Sequence, residues 1–594
     1  MSPIMTVLRS YLIVVAFSCL ATALALDVFR MQDFNVPFHY LTDRSIFIWH
    51  NFDVNLYFAY AKGIDEGTGA GDLARLAGGA GVVARDYPVP LFQPLIYALL
   101  ALFTRFTDWG GALNVLYLMG FPAIALTANI ALRERGIAPA IAGALAILYA
   151  LLPFHTYSGQ MHIALSFYFA IPLVVMVACW IGEGRLDSDP KLVVPWGLLA
   201  GFLAATTDPY YGFFGAMTLF FAGLYRLSQA RANRHWKSIT LISLLVAFPV
   251  AVIGFLGWDA ILNGNGVGAE RLWQHAEFWG LKPIQLILPI RDHFSGTFRD
   301  LSRQYNDIYP SAHINESVSL GLIGTVGLIL LLWGKLADTL VPRLRVPGAL
   351  MLAYLLYASA ASLGLFFALQ GLMVFRSLYR FAPFIGFIAL IPVGLLASQW
   401  WARAPRRKLA WGVLILVSIV ALADVTGKQS RPQFDEIKEA YQSDSAYFAA
   451  LEGALAPGTR ILQLPHGRFP EGGSVGRIQM YEQFVPYLHT QTMLFSYGAR
   501  PDSELGQQLE ALDATPAADL AEAVCAAGFE AILLDRRGYL PTIHLNRQVN
   551  FASVGDVMNA QPEPRYTAIE AVLEGTALTD VQSPRYALYA PCQG

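Results

Sequence analysis

The chain has 594 residues, of which 55% are hydrophobic and only 14% charged, and its mean hydropathy is +0.46. Soluble domains carry about 25% charged residues, so the composition excludes an ordinary water-soluble protein and indicates a polytopic membrane protein. The net charge of −2 offers no field that would gather nucleic acid, and the four cysteines (Cys19, Cys179, Cys525, Cys592) show no CxxC or zinc-type spacing.

Residues 5–26 are long enough to cross a bilayer, and no clear small-residue cleavage site follows them, so they read as an uncleaved helix rather than a signal peptide. Apolar runs recur at 111–132, 137–153, 162–181, 193–208, 210–227, 238–257, 317–334, 348–370, 380–400 and 408–424. Each approaches the roughly 20 residues that a ~30 Å hydrocarbon core requires. "LFQPLIYALLALF" (91–103) is apolar but short and reads as a re-entrant or interfacial helix. Basic residues cluster at Arg133/Arg135, Arg185/Lys191, 226–237, Lys335–Arg345 and "RAPRRK" (403–408). All five fall on the cytoplasmic side if the N-terminus is inside and residues 91–103 do not cross. This predicts eleven crossings, with a first outer loop of about 27–110, a second of about 258–316, and an outer tail.

The fold expected is therefore an α-helical polytopic membrane domain over 1–424 and an extracytoplasmic α/β domain over 425–594. In the tail, 434–455 has helical periodicity, "TRILQLP" (459–465) reads as a strand, and 516–539 reads as helix, glycine turn and the buried strand "AILLD". "RYALYAP" (585–591) closes it as another strand. No Walker loop occurs and no GxGxxG follows a strand, so nothing marks nucleotide binding. Cys525 and Cys592 can pair if the tail faces an oxidising compartment. "LPHGRFPEGG" (464–473) is a polar Pro/Gly loop, read either as a plain connection or as a binding loop.

Chemistry, if present, is expected on the outer loops. "NFDVNLYFAYAKG" (51–63) puts Asp53, Tyr57 and Tyr60 on one helix face. Asp53 can cap that helix or serve as a base, and the two roles are compatible. Asp86 opens "DYPVPLFQP" as a surface anchor or a second acid, and Asp43 is a third. "LPFHTYSGQMHIALSFYF" (152–169) offers His155, Tyr157, Gln160 and His162 without the further ligands that a metal site needs. Asp208 in "TDPYYGFF" is a turn residue or faces the same cavity. The second loop carries Glu277, Lys282, Arg291, His293, Asn315 and Glu316. In "FRSLYRFAPF" (375–384), Arg376 and Arg380 sit one turn apart on the outer side, against the positive-inside bias. That placement suits a phosphate.

These stretches resemble the GT-C superfamily of membrane glycosyltransferases. "FDVNLYFAYAKG" is similar to its first-loop acid–aromatic–helix pattern, and "DYPVPLFQPLIYALLALF" to its Pro-rich second segment. "LPFHTYSGQMHIALSFYFAIPL", "INESVSLGLIG", "YRFAPFIGFIAL" and "GFEAILLDRRGY" look like bacterial inner-membrane proteins described as sugar translocases or glycosyltransferases. The resemblance implies a polyprenyl-phosphate sugar donor and a glycan, lipid or protein acceptor. It makes Asp53 the general base, with Asp86 and Asp43 as substitutes. Arg376, Arg380 and Arg291 would then hold the donor phosphate, and Tyr57, Lys62, His155, His162, His293 and Glu316 the substrates. Many family members follow the first acid with a second; Val54 stands there here, which weakens a metal-dependent version. No cofactor or nucleic-acid partner is expected. The implied location is a bacterial inner membrane, with the N-terminus cytoplasmic and the tail periplasmic. The rival readings are a flippase for a lipid-linked sugar, disfavoured by the absence of inverted repeats and mid-span charges, and a non-catalytic subunit of a cell-envelope polysaccharide assembly.

Overall fold

The computed structural model describes residues 3–41, 53–69, 71–84, 87–229, 236–263, 272–306, 318–371, 374–541 and 563–592. The principal helices mostly fall on the apolar runs. They are α1 (Pro3–Ala25), α2 (Val54–Asp65), α3 (Pro94–Phe103), α4 (Trp109–Glu134), α5 (Pro139–Ala150), α6 (Ile171–Gly182), α7 (Pro190–Thr207), α8 (Pro209–Gln229), α9 (Trp236–Leu256), α10 (Gly321–Leu336), α11 (Pro342–Ala358), α12 (Ala382–Arg403) and α13 (Arg407–Val425). Local chemistry sets their ends. Asp108 and Asp189 accept hydrogen bonds from Gly111 N (2.8 Å) and Leu192 N (3.3 Å), capping α4 and α7. Pro94, Pro139, Pro190 and Pro342 occupy first turns, where a missing N–H costs nothing.

Among the described residues, seven helical segments are long and apolar enough to cross a bilayer. Of the eleven crossings expected, α6, α8, α10 and α11 fall outside that set. The expected runs over 162–181 and 348–370 are each interrupted. The first breaks into a short turn (Ile163–Ser166) and α6, and the second into α11 and a separate helix at Leu363–Leu369. The second break has a visible cause: Leu281 from the 258–316 loop pairs with the end of α11, through Leu281 N to Ala358 O and Ala360 N to Leu281 O, both 2.8 Å. Helix α3 has ten residues, about 15 Å at 1.5 Å per residue, half the depth of a bilayer core.

The basic loops converge at one end of the bundle. Arg135 after α4 forks onto Glu183 after α6 (3.0 and 2.6 Å) and reaches the Arg343 carbonyl at the start of α11 (2.5 Å). Arg185 pairs with Glu134, and Arg226 at the end of α8 pairs with Asp187. Four of the five basic clusters expected on one side thus lie in loops that meet.

At the other end, α14 (Phe434–Ala454) leads into a five-stranded sheet. Its strands are β1 (Arg460–Leu464), β2 (Leu494–Phe495), β3 (Ala531–Asp535), β4 (Ala577–Gln582) and β5 (Tyr586–Tyr589), in the order β2-β1-β3-β5-β4. β1 pairs in parallel with β2 and β3, while β5 is antiparallel to β3 and β4. Successive side chains alternate between faces. Leu462, Leu464, Ile532 and Leu534 bury against the helices α15 (Glu504–Ala514), α16 (Ala517–Ala526) and α17 (Pro564–Leu573). Ile461, Ala531, Leu533 and Leu588 face the opposite way, into a core built with residues of the first loop and α4. The first loop also lines the sheet edge, with Phe495 N donating to Arg75 O and Ala77 N to Tyr497 O, both 2.8 Å. Cys525 on α16 is joined to Cys592 by a disulfide.

Candidate functional site

Asp53 begins α2 with its backbone: its carbonyl accepts from Leu56 N (3.1 Å) and Tyr57 N (3.3 Å). Its side chain makes no cap bond. Instead, carboxylate Oδ2 lies 3.3 Å from Nδ1 of His162, on the turn between α5 and α6. One turn along α2, the Tyr57 hydroxyl meets Gln93 Nε2 at 3.5 Å. Gln93 Nε2 also donates to Asp208 Oδ2 at 3.0 Å, and Asp208 Oδ1 accepts from Tyr210 N at 2.8 Å. The Arg380 guanidinium packs 4.2 Å over the Tyr210 ring. The 207–214 hairpin, the 375–381 turn and the first loop thus close on one another.

The tail forms another wall. Arg376 lies over Trp279 (5.1 Å) and pairs with Glu471 at 3.8 Å. Glu471 accepts from the Tyr87 hydroxyl (3.3 Å), which also shares a 2.8 Å hydrogen bond with Tyr481. Burial and the neighbouring acidic groups push the Tyr87 and Tyr481 phenols well above their ordinary range, so both stay protonated and able to donate.

Asp53 is the electrostatic centre. Burial first, and the Glu471 charge second, push its carboxyl up to about 7, with Arg380 pulling the other way. Crowded as it is, the side chain keeps 34% of its surface open, so a substrate can reach it. A carboxylate that titrates near neutrality is poised to accept a proton. The buried Nε of Arg380, whose charge acts on Asp53, has no hydrogen-bond partner.

The expected residues separate into three groups. Asp53, Tyr57, His162, Arg376 and Arg380 come together. His155, Lys62 and His293 lie elsewhere. His155 is fully buried, stacked 3.7 Å on Phe121 and bonded to Ala150 O at 2.9 Å, which is the setting of a packed core side chain. Lys62 is buried against Glu66 (3.4 Å), which also holds Arg75. His293 Nε2 pairs with Asp424 Oδ1 at 3.1 Å, while Asp424 Oδ2 accepts from Leu322 N at the start of α10. Arg291 stands two residues from His293 on that second loop. Asp43, Asp86 and Glu316 lie outside the described residues. Sequence reasoning missed Glu471, Tyr481, Tyr87 and Gln93 as site components. The one available signal was the Pro/Gly-dense loop 464–473, which holds Glu471. No group of three or more His, Cys, Asp or Glu among the described residues is arranged to hold a metal ion.

This arrangement of a helical bundle and a C-terminal α/β domain has counterparts among solved structures. Over 99% of its length the chain superimposes on the arabinofuranosyltransferase AftD from Mycobacteria, with a TM-score of 0.50 and 16% identity. It spans about 40% of that protein's length. It is also similar, at TM-scores of 0.45 and 0.47 and 13% identity, to two structures of the oligosaccharyltransferase from Archaeoglobus fulgidus. One of these is AglB in complex with an inhibitory peptide and a dolichol-phosphate. The chain covers 88% and 94% of its own length and 69% and 70% of theirs. No protein-family model and no curated protein matches the chain.

Proposed function

We propose that the chain is a membrane glycosyltransferase that moves a sugar from a polyprenyl-phosphate donor to a hydroxyl of a glycan, lipid or protein acceptor. The observation that carries this reading is Asp53. It starts a helix without spending its carboxylate on capping, and it sits near neutrality beside His162 and within the field of Arg380.

In the reaction, the acceptor oxygen attacks the anomeric carbon opposite the leaving phosphate and inverts it. The new C–O bond forms as the carbon–phosphate oxygen bond breaks. The acceptor proton passes to Asp53, a general-base effect of about 10²–10⁴-fold. The bonding pair leaves with the phosphate, whose growing charge Arg380 and Arg376 stabilise. Phosphate arriving at Arg376 meets a guanidinium already turned by Glu471 and Trp279. His162 steers the Asp53 carboxylate through its Nδ1. A lipid-bound donor needs no nucleotide site and is presented by the bilayer itself.

The proposed setting is a bacterial inner membrane with the tail outside, a placement supported by the convergence of the basic loops at the opposite end and by the Cys525–Cys592 disulfide. The test is complementation of a deletion strain, reading envelope glycans and lipid-linked sugars by mass spectrometry. Wild-type protein restores the missing glycan, and Asp53→Asn does not while its unused donor accumulates on the outer side. Full restoration by Asp53→Asn removes Asp53 from the mechanism. Accumulation of the lipid-linked sugar on the inner side instead identifies a flippase.

A further inference from the structure

The loop 464–473 is far from Asp53 in sequence, yet it delivers a carboxylate to the same site. Glu471 carries a left-handed backbone (φ 53°), a conformation that costs a non-glycine residue energy and is kept where the surroundings enforce it. Two contacts from outside the tail hold it there: Arg376 from the 375–381 turn (3.8 Å) and the Tyr87 hydroxyl from the first loop (3.3 Å). Tyr481, also left-handed (φ 64°), fixes Tyr87 from the tail side at 2.8 Å. The side chain of Glu471 is mostly covered, at 23% exposure. A glutamate that served only solubility would not be strained, covered and shared among three segments.

We propose that Glu471 is a positioning residue of the Asp53 site, brought in by the C-terminal domain to orient Arg376 and to balance the charge around the Asp53 carboxylate. This rests on the reading of Asp53 as the base.

The groups that face Asp53 are Tyr57 on its own helix, His162, Arg380, Tyr87, and Glu471 with Tyr481 from the tail. Arg380 and Glu471 are the permanent charges among them, and they act in opposite senses. Burial raises the proton affinity of the carboxylate and Arg380 lowers it. A second negative charge keeps its proton affinity high enough to accept a proton at neutral pH. Glu471 also turns the Arg376 guanidinium toward the site, where an arriving phosphate competes for it. The C-terminal domain is therefore part of the catalytic site, and its docking completes the chemistry.

The test measures the protonation of Asp53 without using activity. The full-length protein in nanodiscs is treated with dicyclohexylcarbodiimide, which reacts with protonated carboxyls, between pH 5 and pH 9, and labelling of Asp53 is read by peptide mass spectrometry. In the wild type, half-labelling falls near pH 7. In Glu471→Gln the midpoint drops by about half a unit or more, so labelling at pH 7 falls about twofold. Glu471→Asp keeps the charge and stays near the wild-type midpoint. Thermal melts of both variants establish that they are folded. An unchanged midpoint in Glu471→Gln, an equal shift in Glu471→Asp, or an Asp53 that never reacts overturns the proposal. If the midpoint shifts as expected while Asp53→Asn still makes glycan, the placement of Glu471 stands and the base assignment falls.

Discussion

Two charged clusters at the same end of the molecule use the same side-chain types to opposite ends. Inside the C-terminal domain, Glu482 is almost fully buried between Arg537 and Arg585, and Arg585 also holds Asp535 through Nε (3.0 Å) and Nη2 (2.8 Å). Burial alone would raise the Glu482 carboxyl, but Arg537 and Arg585 outweigh it and hold it below its ordinary range. Around Asp53 the balance is reversed: burial and a like charge win over Arg380, and the carboxyl rises to about 7. Spacing and geometry decide the sign. Two arginines closing on a carboxylate with 2% exposure make the first cluster structural, whereas the 34% exposure of Asp53 and the long 3.8 Å Arg376–Glu471 contact leave capacity for a ligand.

The comparison breaks most sharply at Asp53. Asp53→Asn is expected to lower sugar transfer by about 10²–10⁴-fold while raising the melting temperature at pH 8. The sign follows from linkage. An acid whose folded pKa lies above its unfolded value binds more protons when folded, so stability falls as pH rises between about 4 and 7, and the neutral amide escapes that loss. Glu482→Gln should do the reverse. It leaves Arg537 and Arg585 buried without their shared counter-charge, at a cost of about 3–5 kcal/mol, read as lost folded protein in membranes with no specific effect per surviving molecule. Arg380→Gln should lower kcat by about 10²–10³-fold, because in the proposed mechanism the phosphate charge it would stabilise grows in the transition state. A rise in KM alone would make Arg380 a binding residue only. The smallest effect is in pH. Below about 7 the wild-type rate should fall roughly tenfold per unit as Asp53 takes up its proton, and flatten above it.

The membrane helices were legible because hydropathy and length are local properties. The breaks at 167–170 and after Ala358 were not, since the second depends on Leu281 reaching in from another loop. In the tail, the strands at 460–464, 531–535 and 586–589 stood out as apolar runs, while the two-residue β2 and the polar β4 had too little signal. At the site, Asp53 was legible from its place before an amphipathic helix, and Arg376 and Arg380 from charge placed against the topological bias. That His162 faces Asp53 while His155 packs on Phe121 depends on a turn centred on Gly159 (φ 50°) and on tertiary packing. No periodicity separates two histidines seven residues apart. Glu471 was invisible as a site residue because its partners, Tyr87 and Arg376, lie in distant segments and meet it only after the tail docks on the first loop.

The central claim is that Asp53 drives sugar transfer from a lipid phosphate. The most direct measurement takes solubilised membranes of a deletion strain, which contain both the unused donor and the unmodified acceptor, and incubates them with purified wild-type or Asp53→Asn protein, following the lipid-linked sugar and the glycosylated acceptor by mass spectrometry. Wild-type protein should consume a polyprenyl-phosphate sugar and release the bare lipid phosphate, with Asp53→Asn at least about 100-fold slower. Equal consumption by the two proteins, or none by either while both remain folded, would contradict the account.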